Sequence, residues 1–540
     1  MTTDIEALKR RFREGEHAAA IEECEALRAR GSDSAELDRL CASMYAVTGA
    51  YARALQIFRS LRGSGKDDAD ILFNIGLCER ELGDYAAAEK SFAAYTKKFP
   101  THPDGWAGLA ECRFRLKDFR SGIDSAERAL QLDGRCIPAL TVRGQCLQAL
   151  GQTQASLQSF NQAINLAPEL ADLKAHRGDL YEAIGQVDKA VADYSAALAR
   201  NPADDATLKK ATSLMLLRGQ GPEAIRLCED VLKRNPDSLT AKLGIEWLLS
   251  QMVPFWHVPM MNEEARNRPY HDALEAVVTP DKLVLEIGTG SGLLSMMAAR
   301  LGAKKVVTCE AVRLVADTAR RIVESNGLQD RIVVVAKPSY ELQLGSELPE
   351  KADILVHEIF SSELLGEQVL PALEDAKARL LKPGGAVLPA QASLMIALVG
   401  GDELGNELHV ETAFGFDLSL FNAIYPKKRP IHREDLPRVL LSADVEAFRF
   451  DFISQSSFPP EKKQLEIMVT RAGLCYGVIQ WIRFDFGHGI FFENHPSHRR
   501  PVASWQHTIY RFEEPLRLEE GAVVKVKAEH DRSRPWFSKA

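Results

Sequence analysis

The chain has 540 residues, 26% of them charged, with a formal net charge of -8 and a pI near 6.0. That length leaves room for about three domains, each with a core of its own. The acidic balance excludes the basic surface of a dedicated nucleic-acid binder and suits a cationic substrate. No apolar run reaches membrane-spanning length, so neither a membrane nor a nucleic acid is expected as a direct partner. The start, MTTDIEALKRRFREGEH, reads as a charged helix and not as a leader. Nine cysteines (24, 41, 78, 112, 136, 146, 228, 309 and 475) form no CxxC pair and fall inside helical or strand patterns. They point to buried, reduced thiols, a reducing cytoplasmic compartment and no metal site.

Residues 1–245 read as helix after helix. Pro100, Gly134, Pro168, Pro202 and Pro236 stand 34 residues apart. In the same frame Gly76, Gly144 and Gly178 share one position, and Ala20, Ala54, Ala88, Ala190 and Ala224 share another. Phe58, Phe92, Phe160 and Tyr194 share a third. The small residues let two helices approach closely, and the large ones fill the groove that this leaves. A 34-residue helix–turn–helix with this alternation resembles the tetratricopeptide repeat, in five clear copies and about two degraded ones. The resemblance implies an α-solenoid whose concave face binds a peptide or protein segment; a purely structural helical array is the alternative. The GSGK at Gly63–Lys66 lacks the flanking residues of a phosphate loop and reads as a connection. A last helix is expected near Asp237–Met252.

Beyond VPFWHVPMMNEEARNRPYHDAL the pattern becomes α/β, with strands expected at 283–287, 305–309, 331–335 and 352–357. Lys382–Pro383–Gly384–Gly385 turns into a further strand, Ala386–Leu388. In KLVLEIGTGSG an apolar strand feeds a turn at Gly288, Gly290 and Gly292, and a helix starts at Leu293: the opening of a nucleotide-type domain. A dinucleotide fits poorly. Leu293 stands where a third small residue belongs, and Glu286 would repel a pyrophosphate. Glu286 suits instead a ligand with an ammonium group and no phosphate, such as S-adenosylmethionine. Glu310, closing the next apolar run, suits both ribose hydroxyls. Residues 246–388 are therefore expected to form a Rossmann-like S-adenosylmethionine-binding methyltransferase domain. After Pro389 short alternating segments (465–469, 476–483, 508–512, 523–528) announce a β-rich domain over 389–540.

Strand four runs into HEIFSSELLGEQVLP, where Glu358 and Glu367 lie nine residues apart at the ligand-binding edge of the sheet. Two such carboxylates could hold a metal, do acid–base work or grip a cation. No histidine cluster accompanies them at ligand spacing, which disfavours a metal. A guanidinium fits best, because its planar fork pairs with carboxylates. Fixing its charge toward one side leaves the other terminal nitrogen free to attack a sulfonium methyl, a matter of alignment and electrostatics.

From about Phe255 to the C-terminus the chain resembles the protein arginine methyltransferases. The Glu358/Glu367 pair has the spacing of that family's double-glutamate hairpin. Ala503–Ser504–Trp505–Gln506–His507–Thr508, followed by Ile509–Tyr510 and Glu513–Glu514–Pro515, resembles its Thr-His-Trp loop and acidic run. The resemblance implies Trp505 as a third catalytic residue, beside Glu358 and Glu367. It implies a cofactor site of Glu286, Gly288, Gly290, Gly292, Glu310 and Ser339. It adds Arg266 on the cofactor carboxylate, and His257 with Met260 lining the site. It also implies a β-barrel-like second domain, a homodimer, and a dimerisation arm near 414–438. Repeats ahead of such a module resemble the symmetric-dimethylating branch. Ser504 replaces the family histidine, Phe360 replaces a methionine, and one module stands where that branch has two.

The expected function is S-adenosylmethionine-dependent methylation of arginine in a protein substrate, with the repeats recruiting substrate or partner. The alternatives are another methyl acceptor, or a repeat scaffold with an inactive methyltransferase half. His488, His495 and His498, the run Lys427–Lys428–Arg429, and Glu363 are read as solvated loop or rim residues.

Overall fold

Each pair of helices in the first half closes through the same backbone device. In the computed structural model, which describes residues 2–30, 34–63, 68–431, 438–498 and 505–540, a left-handed residue recurs at Gly15, Gly49, Gly83, Lys117, Gly151, Gly185 and Gly219. These seven are 34 residues apart. At each, the following amide donates to the carbonyl five residues back, as Ala50 does to Tyr45 and Gln152 to Leu147. This is the turn that satisfies a helix's last carbonyls, and glycine adopts it without strain. Asp84 and Asp118 then cap the next helix, accepting from Ala87 and Ser121. The periodic glycine escapes a composition reading because one repeat carries Lys117 (φ 64°) in its place.

The small and large positions meet as the sequence period requires. A Cβ on Gly144 would lie 2.8 Å from the Phe160 ring, and one on Gly178 would lie 2.6 Å from the Tyr194 ring. Phe58, Phe92, Phe160 and Tyr194 are fully buried. The helices of these glycine-bearing pairs thus approach to contact over a missing side chain. This helical unit covers Met1–Leu248, and the division from the second unit falls within the helix Leu239–Met252. Among the described residues, no helix is long and apolar enough to cross a membrane. Gly63 is described, whereas Ser64, Gly65 and Lys66 of the GSGK stretch lie outside the described residues.

The second unit, Leu249–Ala540, begins with a parallel sheet of β1 (Leu283–Ile287), β2 (Lys305–Cys309), β3 (Ile332–Val335), β4 (Ala352–His357) and β5 (Leu381–Leu388). Its order is β3-β2-β1-β4-β5. Strand β5 starts earlier than expected: Lys382–Gly385 form a bulge inside it, because its pairing with β4 shifts between Leu381 and Ala386. The order reverses between β1 and β4, which opens a crevice at their C-terminal ends. The glycine turn follows β1, and the Glu358 hairpin follows β4.

The rest is antiparallel. β6 (Gln391–Gly400), Gly473–Gly487, His507–Leu518 and Lys428–Ile431 run side by side in a seven-stranded sheet. Glu461–Met468, Val523–His530 and Pro535–Lys539 form a smaller one. One buried cluster runs from Val284 and Leu355 of the parallel sheet to Phe484, Trp505 and Val526 of the antiparallel part. The expected division at 388/389 therefore separates two sheet types that share a single core.

Gly144→Ala is expected to destabilise the solenoid by about 1–3 kcal/mol through overpacking on Phe160. Combining it with Phe160→Leu should cost less than the sum of the two single changes, since both act on one contact. Urea unfolding followed by helical circular dichroism checks this; additive costs would dismiss the pairing.

Candidate functional site

The glycine turn after β1 is built to bring backbone close to a ligand. Gly288, Gly290 and Gly292 have φ of 85°, 51° and 83°, which disfavours any side chain. A Cβ on Gly288 would lie 2.6 Å from Ile359, whereas nothing stands within 4 Å of one on Gly290. Gly288 and Thr289 donate to the Cys309 carbonyl, tying the turn to the end of β2. Glu310 braces it as well: one carboxylate oxygen accepts from Gly290 N–H (3.1 Å), the other from Val312 N–H (2.9 Å). Glu286 is buried, and its Oε2 accepts from Ser295 Oγ and from Thr308 Oγ1 (2.9 Å). Burial pushes its pKa up to about 7, against those two hydrogen bonds. Ser339 is buried in a short 3-10 turn after β3, its carbonyl accepting from Arg379 (3.3 Å).

A cradle of glycine backbone, a carboxylate after β2 and a second, buried carboxylate suit a ribose-bearing ligand that carries no phosphate. The residues present thus fit S-adenosylmethionine.

The hairpin after β4 carries the acidic pair. Leu364, Glu367 and Gln368 are left-handed (φ 68°, 58° and 61°) without being glycine, a strain of order 1–2 kcal/mol each that the surroundings must sustain. They do so from both sides. Within the hairpin, Ser361 Oγ accepts from the Gly366 and Glu363 amides. From the antiparallel sheet, Trp505 Nε1 donates to the Phe360 carbonyl (3.1 Å) and Gln480 Nε2 to the Ser362 carbonyl (3.1 Å). The Gln506 amide donates to Ser362 Oγ (3.0 Å), and Lys428 pairs with Glu363 (2.5 Å). Trp505, expected among the catalytic residues, is thus a buried support of the hairpin.

Glu358 lies in the crevice with its side chain 8% exposed, 2.5 Å from the Arg266 guanidinium, which is 4% exposed. Arg266 also donates to Asn267 Oδ1 and lies over the rings of Trp505 (5.3 Å) and Tyr270 (5.7 Å). Arg266, expected on the cofactor carboxylate, pairs with Glu358 in this structure. Burial pushes the Glu358 pKa up to about 7, with Arg266 opposing and Glu367 adding to the rise. Glu367 presents surface to solvent yet is crowded by protein, and that crowding, helped by Glu310, raises its carboxyl above the ordinary range.

Phe360 packs on Phe484 (4.6 Å) and on His357 (4.9 Å). His357 is fully buried, neither ring nitrogen has a partner, and desolvation drives its pKa down to about 3. It therefore serves as a neutral wedge behind Glu358. His257 bonds locally, to the Pro254 carbonyl (3.1 Å).

Sequence reading missed Gln480, Tyr270, His357 and Lys428. Tyr270 donates to the His357 carbonyl (3.1 Å) and so fixes the end of β4. Of the run Lys427–Lys428–Arg429, Lys427 is exposed and pairs with the exposed Glu513, whereas Lys428 and Arg429 enter a strand and pair with Glu363 and Glu407. His495 pairs with Asp444 (3.2 Å). Ser504 lies outside the described residues.

Residues 271–390 match the family model of ribosomal protein L11 methyltransferase (PrmA), and 73–135, 141–205 and 176–238 match that of the tetratricopeptide repeat. An arginine N(omega)-methyltransferase of Streptomyces achromogenes subsp. streptozoticus is 34% identical over 58% of this chain and 87% of its own length. Protein arginine N-methyltransferase 7 of Oryza sativa subsp. indica is 31% identical over 51% of this chain and 44% of its own. The solved Trypanosoma brucei PRMT1 enzyme–prozyme complex with AdoHcy covers 52% of this chain and 92% of its own at 23% identity and a TM-score of 0.46. The chain spans most of the Streptomyces enzyme and under half of the rice protein, and it belongs to the arginine N-methyltransferase family.

Glu310→Ala is expected to weaken S-adenosylmethionine binding by about 1.5–3 kcal/mol, the scale of lost charge-assisted hydrogen bonds, with the fold retained. Unchanged affinity in titration calorimetry would remove Glu310 from the site.

Proposed function

We propose that this member of the arginine N-methyltransferase family transfers a methyl group from S-adenosylmethionine to a guanidinium nitrogen of arginine in a protein substrate. The observation that carries the proposal is the buried contact of Arg266 with Glu358: beside a glycine turn fit for the donor, the hairpin carboxylate already holds a guanidinium between aromatic faces. When bound, S-adenosylmethionine supplies an electrophilic methyl on a sulfonium. Glu358 and Glu367 pair with the acceptor guanidinium and hold its charge toward the hairpin. The nitrogen turned to the donor then keeps lone-pair density, attacks the methyl carbon, and the carbon–sulfur bond electrons return to sulfur. The methylated nitrogen loses one proton. Glu367, raised in pKa and open to solvent, takes it at a carboxylate oxygen and releases it to water.

The repeat unit would capture the substrate or a partner. A cleft of about 340 Å³ lined by Tyr51, Asn74, Leu77 and Arg80 supports that role. We further propose a homodimer through the segment 412–431. There Phe414, Phe416, Leu420, Phe421 and Ile424 stand 60–102% exposed on a small hairpin and turn, an apolar patch of the kind that marks an interface. Residues 432–437 of the expected arm lie outside the described residues. Nine buried cysteines without disulfides support a cytoplasmic setting.

Glu358→Gln and Glu367→Gln should each lower turnover on an arginine peptide by roughly 10²–10³, the scale of losing a preorganised charge at the reacting group. Labelled donor with identification of the product by mass tests this; near-normal methylation by Glu367→Gln would sink the arginine assignment. The raised Glu358 pKa adds a pH signature. Its reactive form is the ionised one, so kcat/KM should rise with pH through about 7. The same shift makes ionisation costly to the fold from pH 4.5 up to about 7. In Glu358→Gln that limb should vanish, and one that survives belongs to Glu367 or Glu286, both also raised.

Replacing Leu420, Phe421 and Ile424 by serine should shift the protein to monomer in sedimentation. Unchanged mass in the variant would place any interface elsewhere.

A further inference from the structure

We infer that Asn494 and His507 are positioning residues for the hairpin that carries Glu358 and Glu367: neither lies on it, and they fix it through the backbone of Trp505. This rests on the proposed reading of that hairpin as the element that takes the acceptor arginine.

The argument starts from one peptide unit, between Trp505 and Gln506. On one side of it the Trp505 indole donates to the Phe360 carbonyl (3.1 Å), and on the other the Gln506 amide donates to Ser362 Oγ (3.0 Å). Both contacts hold the hairpin only if the peptide itself is fixed. It lies just before the strand His507–Leu518, outside the pairing of that strand. Its carbonyl accepts instead from Asn494 Nδ2 (2.8 Å). Because a peptide group is planar, holding its carbonyl also sets the direction of its N–H toward Ser362.

Asn494 is itself held. Its Oδ1 accepts from the Ile482 amide (2.9 Å), in the strand Gly473–Gly487, and its backbone carbonyl accepts from His507 Nε2 (2.6 Å). Asn494, Trp505 and His507 are all buried, so a polar atom that lost its partner here would keep the full cost of desolvation. Few side chains satisfy this place. Position 494 must offer an acceptor to an N–H and a donor to a carbonyl, which an amide does; leucine, of nearly the same shape, does neither. His507 donates from Nε2 to a carbonyl, so its Nδ1 is the lone-pair side, and it accepts from Arg438 Nη2 (3.2 Å). Burial, helped by Arg438, pushes the His507 pKa down to about 4 and keeps it in that neutral form. Arg438 also donates to the Pro496 carbonyl (3.2 Å), which anchors the stretch after Asn494.

Loss of Asn494 or His507 should leave the glycine turn and Glu310 intact and loosen the hairpin at Phe360 and Ser362. Kinetics on an arginine peptide, calorimetry with S-adenosylhomocysteine, thermal denaturation and hydrogen exchange, all on the full chain, test this. Asn494→Leu should lower kcat by roughly 10–10²-fold, the scale of a small misplacement of reacting groups. Its affinity for S-adenosylhomocysteine should be retained, and amides 358–368 should exchange faster. His507→Gln, which keeps one donor and one acceptor, should retain most of the activity, whereas His507→Leu should behave as Asn494→Leu does. A role in stability alone would lower the melting temperature but leave kcat well below that temperature, and the exchange of the hairpin, unchanged. That result overturns the inference, as does a His507→Gln enzyme as impaired as His507→Leu. If Asn494→Leu does not fold, the two His507 variants decide. A wild-type protein that methylates no arginine peptide removes the proposed function, and hairpin exchange in the variants then decides alone whether Asn494 and His507 hold it.

Discussion

A carboxylate held out of water dictates the layout of this site. Glu358 must be charged to hold a cation, yet burial lifts its pKa to about 7. Everything around it moderates that conflict. Arg266 supplies the countercharge, Trp505 and Tyr270 exclude water with ring faces that tolerate a cation, and His357 stays neutral because it is buried. A fully solvated pair of glutamates would bind a guanidinium weakly, since exposed ion pairs contribute about 0–1 kcal/mol. Desolvation makes the contact selective, and the resident arginine keeps it from being ruinous to the fold.

The helical half solves a different problem with equal economy. A helix pair joined by a short turn can pack closely only if one partner gives up a side chain at the crossing. Gly144 and Gly178 do so, and Phe160 and Tyr194 fill the space. The left-handed turn residue sets the angle at which each pair closes, and repeating it every 34 residues repeats that angle.

Much of this was legible in the chain. The 34-residue period, the strands β1, β2 and β4 to the residue, the glycine turn and the nine-residue glutamate spacing are local patterns, which sequence displays directly. What escaped was decided by distant partners. No local pattern says that Trp505 supports the Phe360 carbonyl or that Arg266 turns to Glu358. Gln480 has the appearance of an ordinary polar residue in a strand, and only the fold reveals its carbonyl partner in the hairpin. The run Lys427–Lys428–Arg429 has the pattern of a solvated loop, as charge runs usually do; here Glu363 and Glu407 pair with Lys428 and Arg429, and only the fold shows it.

The supports of the hairpin also bear on how the protein is made. Ser362 waits for Gln480, 118 residues later, and Phe360 for Trp505, 145 residues later. During synthesis at roughly 5–20 residues per second, the glycine turn and the parallel sheet can form while those partners are still unmade. The strained Glu367 turn has only Ser361 within the hairpin to brace it until the antiparallel sheet is complete. A nascent or truncated chain could therefore fold around the donor site and remain unable to act on arginine, which leaves catalytic competence as the last property the polypeptide acquires.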